Sequence, residues 1–376
     1  MKHVLRTVEN KNVIESIQTF LQQLLESKCV DALLVPRVLP GKDGFVQVLI
    51  KDPEVVKETN PLAPTMAVQS ATIIKQLSMA DEDTRIGVVL KPCELRAGIE
   101  LVKFLQANFE NLVIIGVDCP GTVEVRDYAA MEENDRAVTE KALIDWSSDA
   151  PADIKIRDAC RICEFPAPVQ ADITIGIIGC DISREIACII NERFEEKYKE
   201  SLQLDLKDGM PDGREEAVKA IVAKRRETRG KILGEMRGQI DSIDKFLKTF
   251  STCIRCYNCM HACPICYCKE CVFESPVFEH SADQLLKLVD RKNAVRMPAD
   301  TLMFHLTRLT HMATSCVGCG MCDSACPNNL PVSRLFNLIG KELQDMFEYV
   351  PGRNVEEEAP VKEFKEQEFL AEGGAE

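Results

Sequence analysis

The sequence contains no uninterrupted apolar run long enough to cross a bilayer, and its opening residues, MKHVLRTVENKNV, show no apolar core followed by a small-residue cleavage site. Basic residues are in deficit, since 46 Lys and Arg stand against 60 Asp and Glu, a formal net charge of −14. An acidic balance argues against general binding to nucleic acid or to anionic membranes. We therefore expect a cytoplasmic protein, without a membrane span, whose partners are proteins or small molecules.

Two nucleotide-binding signatures are also missing. No G-x-G-x-x-G motif follows the first predicted strands, and no phosphate-binding loop ending in Gly-Lys-Ser occurs. A standard Rossmann nucleotide site is therefore not supported.

Cysteine, by contrast, is abundant. The chain of 376 residues has 18 cysteines, and seven of them fall within residues 253–271. A reducing cytoplasm keeps thiols free, so clustered cysteines there more often hold metal than form disulfides.

Two stretches repeat the pattern C-x-x-C-x-x-C-x-x-x-C-P, one beginning at Cys253 and one at Cys316. Two-residue gaps let three thiolates of one loop bind three corners of an iron–sulfur cube, while the fourth cysteine serves the other cube. The pattern predicts two [4Fe-4S] clusters with crossed ligands, one on Cys253, Cys256, Cys259 and Cys326, the other on Cys316, Cys319, Cys322 and Cys263. Paired structural zinc sites are the alternative, but these normally close with four ligands from two pairs.

Three cysteines of the first stretch, Cys266, Cys268 and Cys271, fall outside both quartets. From the sequence they are ligands of a further metal, side chains that shape the sulfur environment, or small apolar residues. The spacing does not separate these readings.

Hydrophobic periodicity divides the chain into an α/β part and a helical part. Short β-rich runs such as RIGVVL and NLVIIGV alternate with helical stretches, and a 3.6-residue rhythm, with a helix start at Pro298, lies between the two quartets. We expect an α+β protein with an α/β domain over 1–195, a helical connector over 196–250, an all-helical dicluster domain over 251–350 and an acidic flexible tail over 351–376.

Four further cysteines lie in the predicted α/β part. Cys93 and Cys119 each follow a predicted strand, and the carboxyl ends of strands are where ligands bind in open α/β sheets. Cys160 and Cys163 have ligand spacing. They form either a third metal site or two buried structural cysteines beside an incidental C-x-x-C pair.

The strings KPCELRA, GVDCPGT and CRICEFPAPVQADITIGIIG, in this order before a dicluster segment, resemble the coenzyme F420 hydrogenase/dehydrogenase beta-subunit family. Within it, the run CIRCYNCMHACPICYCKEC resembles the formate dehydrogenase beta subunit most closely, and the resemblance covers residues 25–353. It implies an iron–sulfur flavoprotein that passes electrons between clusters and FAD. It also implies a third [4Fe-4S] cluster, held by Cys93, Cys119, Cys160 and Cys163 in the α/β domain.

The same resemblance places FAD in the α/β domain, along the loop TNPLAPTMAVQSA and beside two glycines. Glycine allows close backbone approach to a flat ring, and a proline-bracketed loop is stiff enough to hold a ligand. The candidate contacts are Asn60, Pro64, Thr65, Gly176 and Gly179.

A cube carries one electron at a time whereas hydride transfer moves two, and a flavin can connect the two. We therefore expect an oxidoreductase subunit that relays electrons between a catalytic dehydrogenase of formate dehydrogenase or hydrogenase type and FAD, then coenzyme F420 or another two-electron carrier. A molybdenum or tungsten pterin subunit would be a separate chain, because nothing here resembles one. The alternative is a flavin-free, ferredoxin-like electron wire between a dehydrogenase and a heterodisulfide-reductase-like complex.

Overall fold

The computed structural model describes residues 2–41, 43–79, 83–133, 138–149, 154–198, 207–209, 211, 213–279, 281–293 and 300–363. The chain forms two compact units. The first unit comprises Met1–Lys231, Val317–Gly320 and Pro351–Glu358; the second comprises Ile232–Cys316, Met321–Val350 and Ala359–Glu376. The subdivision into connector and tail stays a prediction.

The first unit is built on a single sheet. Its strands among the described residues are β1 (Lys2–Thr7), β2 (Ala32–Val38), β3 (Phe45–Ile50), β4 (Ile86–Leu90), β5 (Leu112–Val117), β6 (Ile173–Gly176), β7 (Glu185–Ile190) and β8 (Lys207–Asp208). They lie in the order β3-β2-β4-β5-β6-β7-β1-β8. Strands β2, β4, β5 and β6 are parallel, and the remaining neighbours pair antiparallel.

The central strands are continuous apolar runs because both of their faces are covered. Every residue of β4 and β5 is buried, which is the pattern expected of parallel strands between helical layers. One large core cluster includes Ile17, Phe20 and Leu24, and another includes Leu95 and Ile99. The prediction of an α/β domain is confirmed.

Four short 3₁₀ helices and the α-helices that follow account for the rest of the regular structure among the described residues. The described helices are α1 (Val13–Glu26), α2 (Ala71–Leu77), α3 (Pro92–Lys103), α4 (Val125–Glu133), α5 (Glu140–Asp149), α6 (Asp158–Arg161), α7 (Glu192–Tyr198), α8 (Arg214–Ile240), α9 (Ile243–Thr249), α10 (Asn258–His261), α11 (Ala282–Lys292), α12 (Thr301–Met312), α13 (Met321–Ser324) and α14 (Val332–Met346). In the part of the second unit that the structure describes, no strand occurs, so the helical prediction is confirmed there. The helix start predicted at Pro298 lies outside the described residues.

The beginning of the predicted tail is anchored in the first unit. Arg96 Nε donates a hydrogen bond to Pro351 O at 2.8 Å, and the Gly352 amide donates to Glu100 Oε1 at 2.8 Å. Gly352 has φ +69°, and a Cβ there would lie 2.4 Å from the backbone of Arg96. Residues 364–376 lie outside the described residues.

No helix among the described residues has both the length and the apolar character that a bilayer span requires.

Candidate metal and cofactor sites

Thiols from distant parts of the chain line one cavity of the first unit, the Cys93 cavity. It encloses about 400 Å³ of space unfilled by protein atoms, open solvent included. Its lining contains all four cysteines predicted from the resemblance and one more: Cys93, Cys119, Cys160, Cys163 and Cys319. Cys93 and Cys119 meet here because β4 and β5 are parallel neighbours that end at the same edge of the sheet.

Local backbone structure orients these thiols. Pro92 occupies the first turn of α3, where its missing N–H costs nothing, so Cys93 follows β4 directly on a helix start. The Cys119 amide donates to Pro166 O at 2.8 Å. The hydroxyl of Thr122 lies 3.3 Å from Cys160 Sγ.

Cys319 reaches the Cys93 cavity on a loop that requires glycine. Gly320 has φ +73°, and a Cβ there would lie 2.3 Å from Ala159 Cβ. The carbonyl of Val317 accepts a hydrogen bond from Arg96 at 3.2 Å. The sequence pattern assigns Cys319 to the second quartet and gives no signal that its loop packs against α6.

Three buried cations surround these thiols. Lys91, Arg157 and Arg225 also line the Cys93 cavity, with relative exposures of 6%, 3% and 3%. Arg225 donates to Cys163 O at 3.4 Å and also to Pro120 O. Sequence reasoning assigned none of these three residues to a site. Arg225 is one of five cations in AKRRETRGK, a stretch whose pattern favours a solvated helix face, and its burial distinguishes it.

Burial favours the protonated form of two of these thiols, Cys93 and Cys119. Burial raises the pKa of Cys119 to about 12; Cys160 adds to the effect, and Lys91 and Arg225 oppose it. Burial also raises the pKa of Cys93 well above its usual value, with Glu94 adding to it. Binding of iron would therefore release protons from these thiols. The cations would then offset the negative charge of the thiolates, so the donor set fits an iron–sulfur cluster.

A second cavity of the first unit, the Thr65 cavity, shares a wall with the Cys93 cavity. It encloses about 300 Å³, open solvent included, and Met66 and Lys91 line both cavities. The hydroxyl of Thr65, which is 2% exposed, and the Oε1 of Gln47 have no hydrogen-bond partner there among the described residues. Such groups are costly to bury unless a ligand or water pairs with them. The lining thus suits a ligand with polar groups.

The other candidate flavin contacts have partners within the protein. Asn60 Oδ1 accepts from the Leu62 amide at 2.9 Å, and Pro64 O accepts from the Val123 amide at 2.9 Å. A Cβ on Gly176 would lie 2.5 Å from Arg214 Cζ, and one on Gly179, with φ +75°, would lie 2.6 Å from Arg214 Cα. Close approach at both glycines is therefore made by Arg214, and their contact with FAD stays a prediction.

In the second unit, the Cys253 cavity gathers four thiols of the two motifs. It encloses about 340 Å³, open solvent included, and its cysteines are Cys253, Cys256, Cys259 and Cys326. This is the crossed set that the spacing predicts. Burial raises the pKa of Cys259 to about 11, although Arg308 opposes the shift.

The wall of the Cys253 cavity contains an imidazole without partners. His305 is 1% exposed, packs against Phe250 with ring centroids 4.6 Å apart, and has neither nitrogen hydrogen-bonded among the described residues. Burial lowers the pKa of His305 to about 4, with Arg308 contributing, so the ring is neutral and keeps one N–H. Sulfur of a bound cluster would accept that N–H, which fits an iron–sulfur site.

Some of the remaining cysteines of the second unit lie near Arg308. Cys263 and Cys322, both from the second predicted quartet, lie close enough to affect its pKa, and Cys316 O accepts from Gln344 at 3.1 Å. The surplus thiols are partly packed: Cys266 and Cys271 contact the aromatic core around Phe273, and Cys268 is exposed. Burial raises the pKa of Cys266 to about 12, with Cys263 adding to it. Among the described residues no three Cys, His, Asp or Glu side chains form a site for a single metal ion.

Comparison with known proteins agrees with this cysteine framework. A family model described as a 4Fe-4S dicluster domain matches residues 249–330, which contain both quartets. The chain is 27% identical to the F420-dependent formate dehydrogenase subunit beta of Methanocaldococcus jannaschii, over 94% of this chain and 97% of that protein. It is 28% identical to the F420-dependent formate dehydrogenase 1 subunit beta of Methanococcus maripaludis, over 92% of each.

A looser likeness in three dimensions is to a chain of the F420-reducing [NiFe] hydrogenase complex from Methanosarcina barkeri. The TM-score is 0.48 at 12% identity, over 65% of this chain and 94% of that chain. The dicluster segment, and similarity to the two formate dehydrogenase subunits over nearly the whole length, make the chain an iron–sulfur oxidoreductase subunit that is similar to the beta subunits of F420-dependent formate dehydrogenases.

Proposed function

We propose that the chain is a cytoplasmic flavoprotein subunit that relays electrons between a catalytic dehydrogenase subunit and FAD, and from FAD to coenzyme F420 or another two-electron carrier. The names of its relatives support F420 and formate as the two ends of the relay. The catalytic partner would be a separate chain, a molybdenum or tungsten pterin subunit or a hydrogenase.

One observation carries this proposal: the Cys93 cavity and the Thr65 cavity share the side chains of Met66 and Lys91. A cluster and a flavin ring bound in them would be neighbours, separated by little more than these two residues. Electron exchange between a one-electron and a two-electron carrier needs such proximity.

The ligand assignment in this proposal follows the motif spacing and the resemblance, although Cys319 also lines the Cys93 cavity. Cys93, Cys119, Cys160 and Cys163 would hold one [4Fe-4S] cluster; Cys253, Cys256, Cys259 and Cys326 a second; and Cys316, Cys319, Cys322 and Cys263 a third. When bound, the clusters supply one-electron transfer and FAD converts it to two-electron chemistry. Asn60, Pro64 and Thr65 are the proposed flavin contacts, with Gly176 and Gly179 retained from the resemblance alone.

The protein's own side chains would compensate the negative charge of the cofactors and form hydrogen bonds with them. Lys91, Arg157 and Arg225 are buried cations that would offset the negative charge of a cluster held in the Cys93 cavity. The buried hydroxyl of Thr65 would donate to or accept from a polar edge of the flavin. Lys91, which lines both cavities, would stabilise negative charge on either side of the shared wall.

The test is a count of iron, acid-labile sulfide and flavin on protein purified anaerobically with its natural partners. Three cubes give about twelve iron atoms per chain, and we expect FAD in the same sample. Cys93→Ala should lower the iron content to about eight, whereas Cys180→Ala, a partly buried cysteine of the same unit outside all three sets, should not.

Two results would contradict the proposal. Full iron without FAD after reconstitution would leave the flavin-free electron wire as the function. Zinc in place of iron and sulfide would remove the redox role altogether.

A further inference from the structure

Helix α12 contains a buried arginine that contacts a proposed cluster ligand. Arg308 is 3% exposed, and its Nη1 donates to Cys259 Sγ at 3.1 Å. Its Nη2 donates to Cys259 O at 3.0 Å. The guanidinium is thus held in place by both the side chain and the backbone of one cysteine.

Thiols of both predicted quartets influence this guanidinium. Burial acts to lower the pKa of Arg308, but Cys259, Cys263, Cys322 and Cys266 together outweigh it and raise the pKa. Cys259 belongs to the quartet of the Cys253 cavity, whereas Cys263 and Cys322 belong to the other quartet. Cys322 also packs against the core cluster that contains Cys259 and Phe304, and Phe304 lies under the Arg308 guanidinium. One cation therefore neighbours ligands of two proposed clusters.

The guanidinium of Arg308 also lies against two aromatic rings. The rings of Phe304 and Phe336 lie 5.4 and 5.1 Å from its guanidinium carbon. Among the described residues no carboxylate pairs with it, and its Nε has no hydrogen-bond partner. A buried cation without compensation is strongly unfavourable. Sulfur is the available compensation, and anionic clusters held by these cysteines would supply it.

We propose that Arg308 is a positioning residue that sets the reduction potentials of both clusters of the dicluster domain, by its hydrogen bond to Cys259 and by its charge beside Cys263 and Cys322. The inference rests on the ligand assignment of the proposed function. Each reduction adds one electron to a cluster, breaks no bond and moves no proton. A fixed cation and an N–H donor stabilise the more negative, reduced form, so they raise the potential.

The test is a redox titration with dithionite, followed by EPR spectroscopy, on anaerobically purified protein. Arg308→Gln should shift the ratio of reduced to oxidised cluster about tenfold toward the oxidised form at a given potential, which is about 59 mV for a one-electron couple. Both dicluster signals should move in this direction. Arg308→Lys keeps the charge but loses the fork of donors, so a smaller shift of the same sign is expected.

A matched control is Arg237→Gln, which removes one positive charge from an exposed ion pair with Glu342 in the same unit. The reduction potentials of both dicluster clusters in this variant should equal those of the wild type, because solvent screens exposed charges. Iron and sulfide counts accompany every titration.

Three results would overturn the inference. If Arg308→Gln retains its iron and the potential of either cluster is unchanged, Arg308 does not act on both, and the proposed function survives. If Arg308→Gln loses its clusters, Arg308→Lys decides: a lowered potential supports the inference and an unchanged one overturns it. A wild-type protein without iron–sulfur signals would refute the proposed function as well.

Discussion

The Cys93 cavity and the Cys253 cavity are both lined by cysteine, but they offset charge differently. The first contains three buried cations, Lys91, Arg157 and Arg225, of which Arg157 pairs with Glu124 at 3.2 Å. In the second, Arg255 pairs with Asp300, which leaves the neutral His305 and the shared Arg308 beside the sulfur. Potentials depend on charge and hydrogen bonds around sulfur as well as on ligand type. We expect the cluster of the Cys93 cavity to have the higher reduction potential.

The largest effect is expected from a change in the loop that brings Cys319 to the Cys93 cavity. Gly320→Ala should lower the free energy of unfolding by about 2–5 kcal/mol, because it forces a left-handed backbone on alanine and overlaps Ala159. Chemical denaturation measures the loss. Gly213→Ala is the control, since Gly213 has φ +86° but no atom within 4 Å of an added Cβ. Equal losses in the two variants would show that packing against Ala159 contributes nothing.

Removal of Lys91, the cation between the Cys93 and Thr65 cavities, should reduce the difference in reduction potential between clusters bound in the Cys93 and Cys253 cavities. Lys91→Gln should lower the reduction potential of the cluster in the Cys93 cavity, and each tenfold change in the ratio of reduced to oxidised cluster corresponds to about 59 mV. The variant should also retain less flavin on purification. EPR titration and flavin absorbance report the two effects. Unchanged values for both would show that Lys91 serves neither cofactor. Lys75→Gln, on α2 of the same unit and outside both cavity linings, is the reference.

A smaller effect is expected on the pH dependence of stability, because His305 lines the Cys253 cavity. The folded state lowers the pKa of His305 to about 4 from an ordinary 6.5, mainly through burial, so the unfolded state binds more protons between these values. Stability should therefore fall as the pH drops from about 6.5 towards 4, by at most about 1.4 kcal/mol per pH unit. His305→Phe should remove this part of the slope, and His311→Phe, at an exposed position, should keep it. Denaturation curves at pH 7 and pH 5 measure the free energy of unfolding of the wild type and the two variants. An equal loss of this free energy at pH 5 in all three proteins would contradict the role of His305.

The smallest expected effect concerns a cation outside both cavities. Arg237→Gln breaks an ion pair whose side chains are 64% and 46% exposed, so the free energy of unfolding should change by less than about 1 kcal/mol. Thermal unfolding checks this. A change as large as that caused by Gly320→Ala would undermine the distinction between buried and exposed charges.

Sequence reasoning was most successful where the chemistry is local. The repeated C-x-x-C-x-x-C-x-x-x-C-P pattern anticipates a dicluster domain, and the structure lines one cavity with the crossed set of Cys253, Cys256, Cys259 and Cys326. The β-rich runs before Cys93 and Cys119 are parallel neighbours, which accounts for their convergence. For Gly176 and Gly179, by contrast, the residue that approaches is Arg214 from α8. A glycine in a sequence shows that something comes close, but not what it is.

By itself, the sequence determined the order of sheet and helices and the cysteine framework, because periodicity and ligand spacing act over a few residues. Tertiary structure alone decided that Cys319 enters the Cys93 cavity, that Lys91 lies between two cavities, and that Arg225 and Arg308 are buried beside thiols. These contacts join segments far apart in the chain. They depend on how whole faces of helices and strands pack, and no short pattern encodes that.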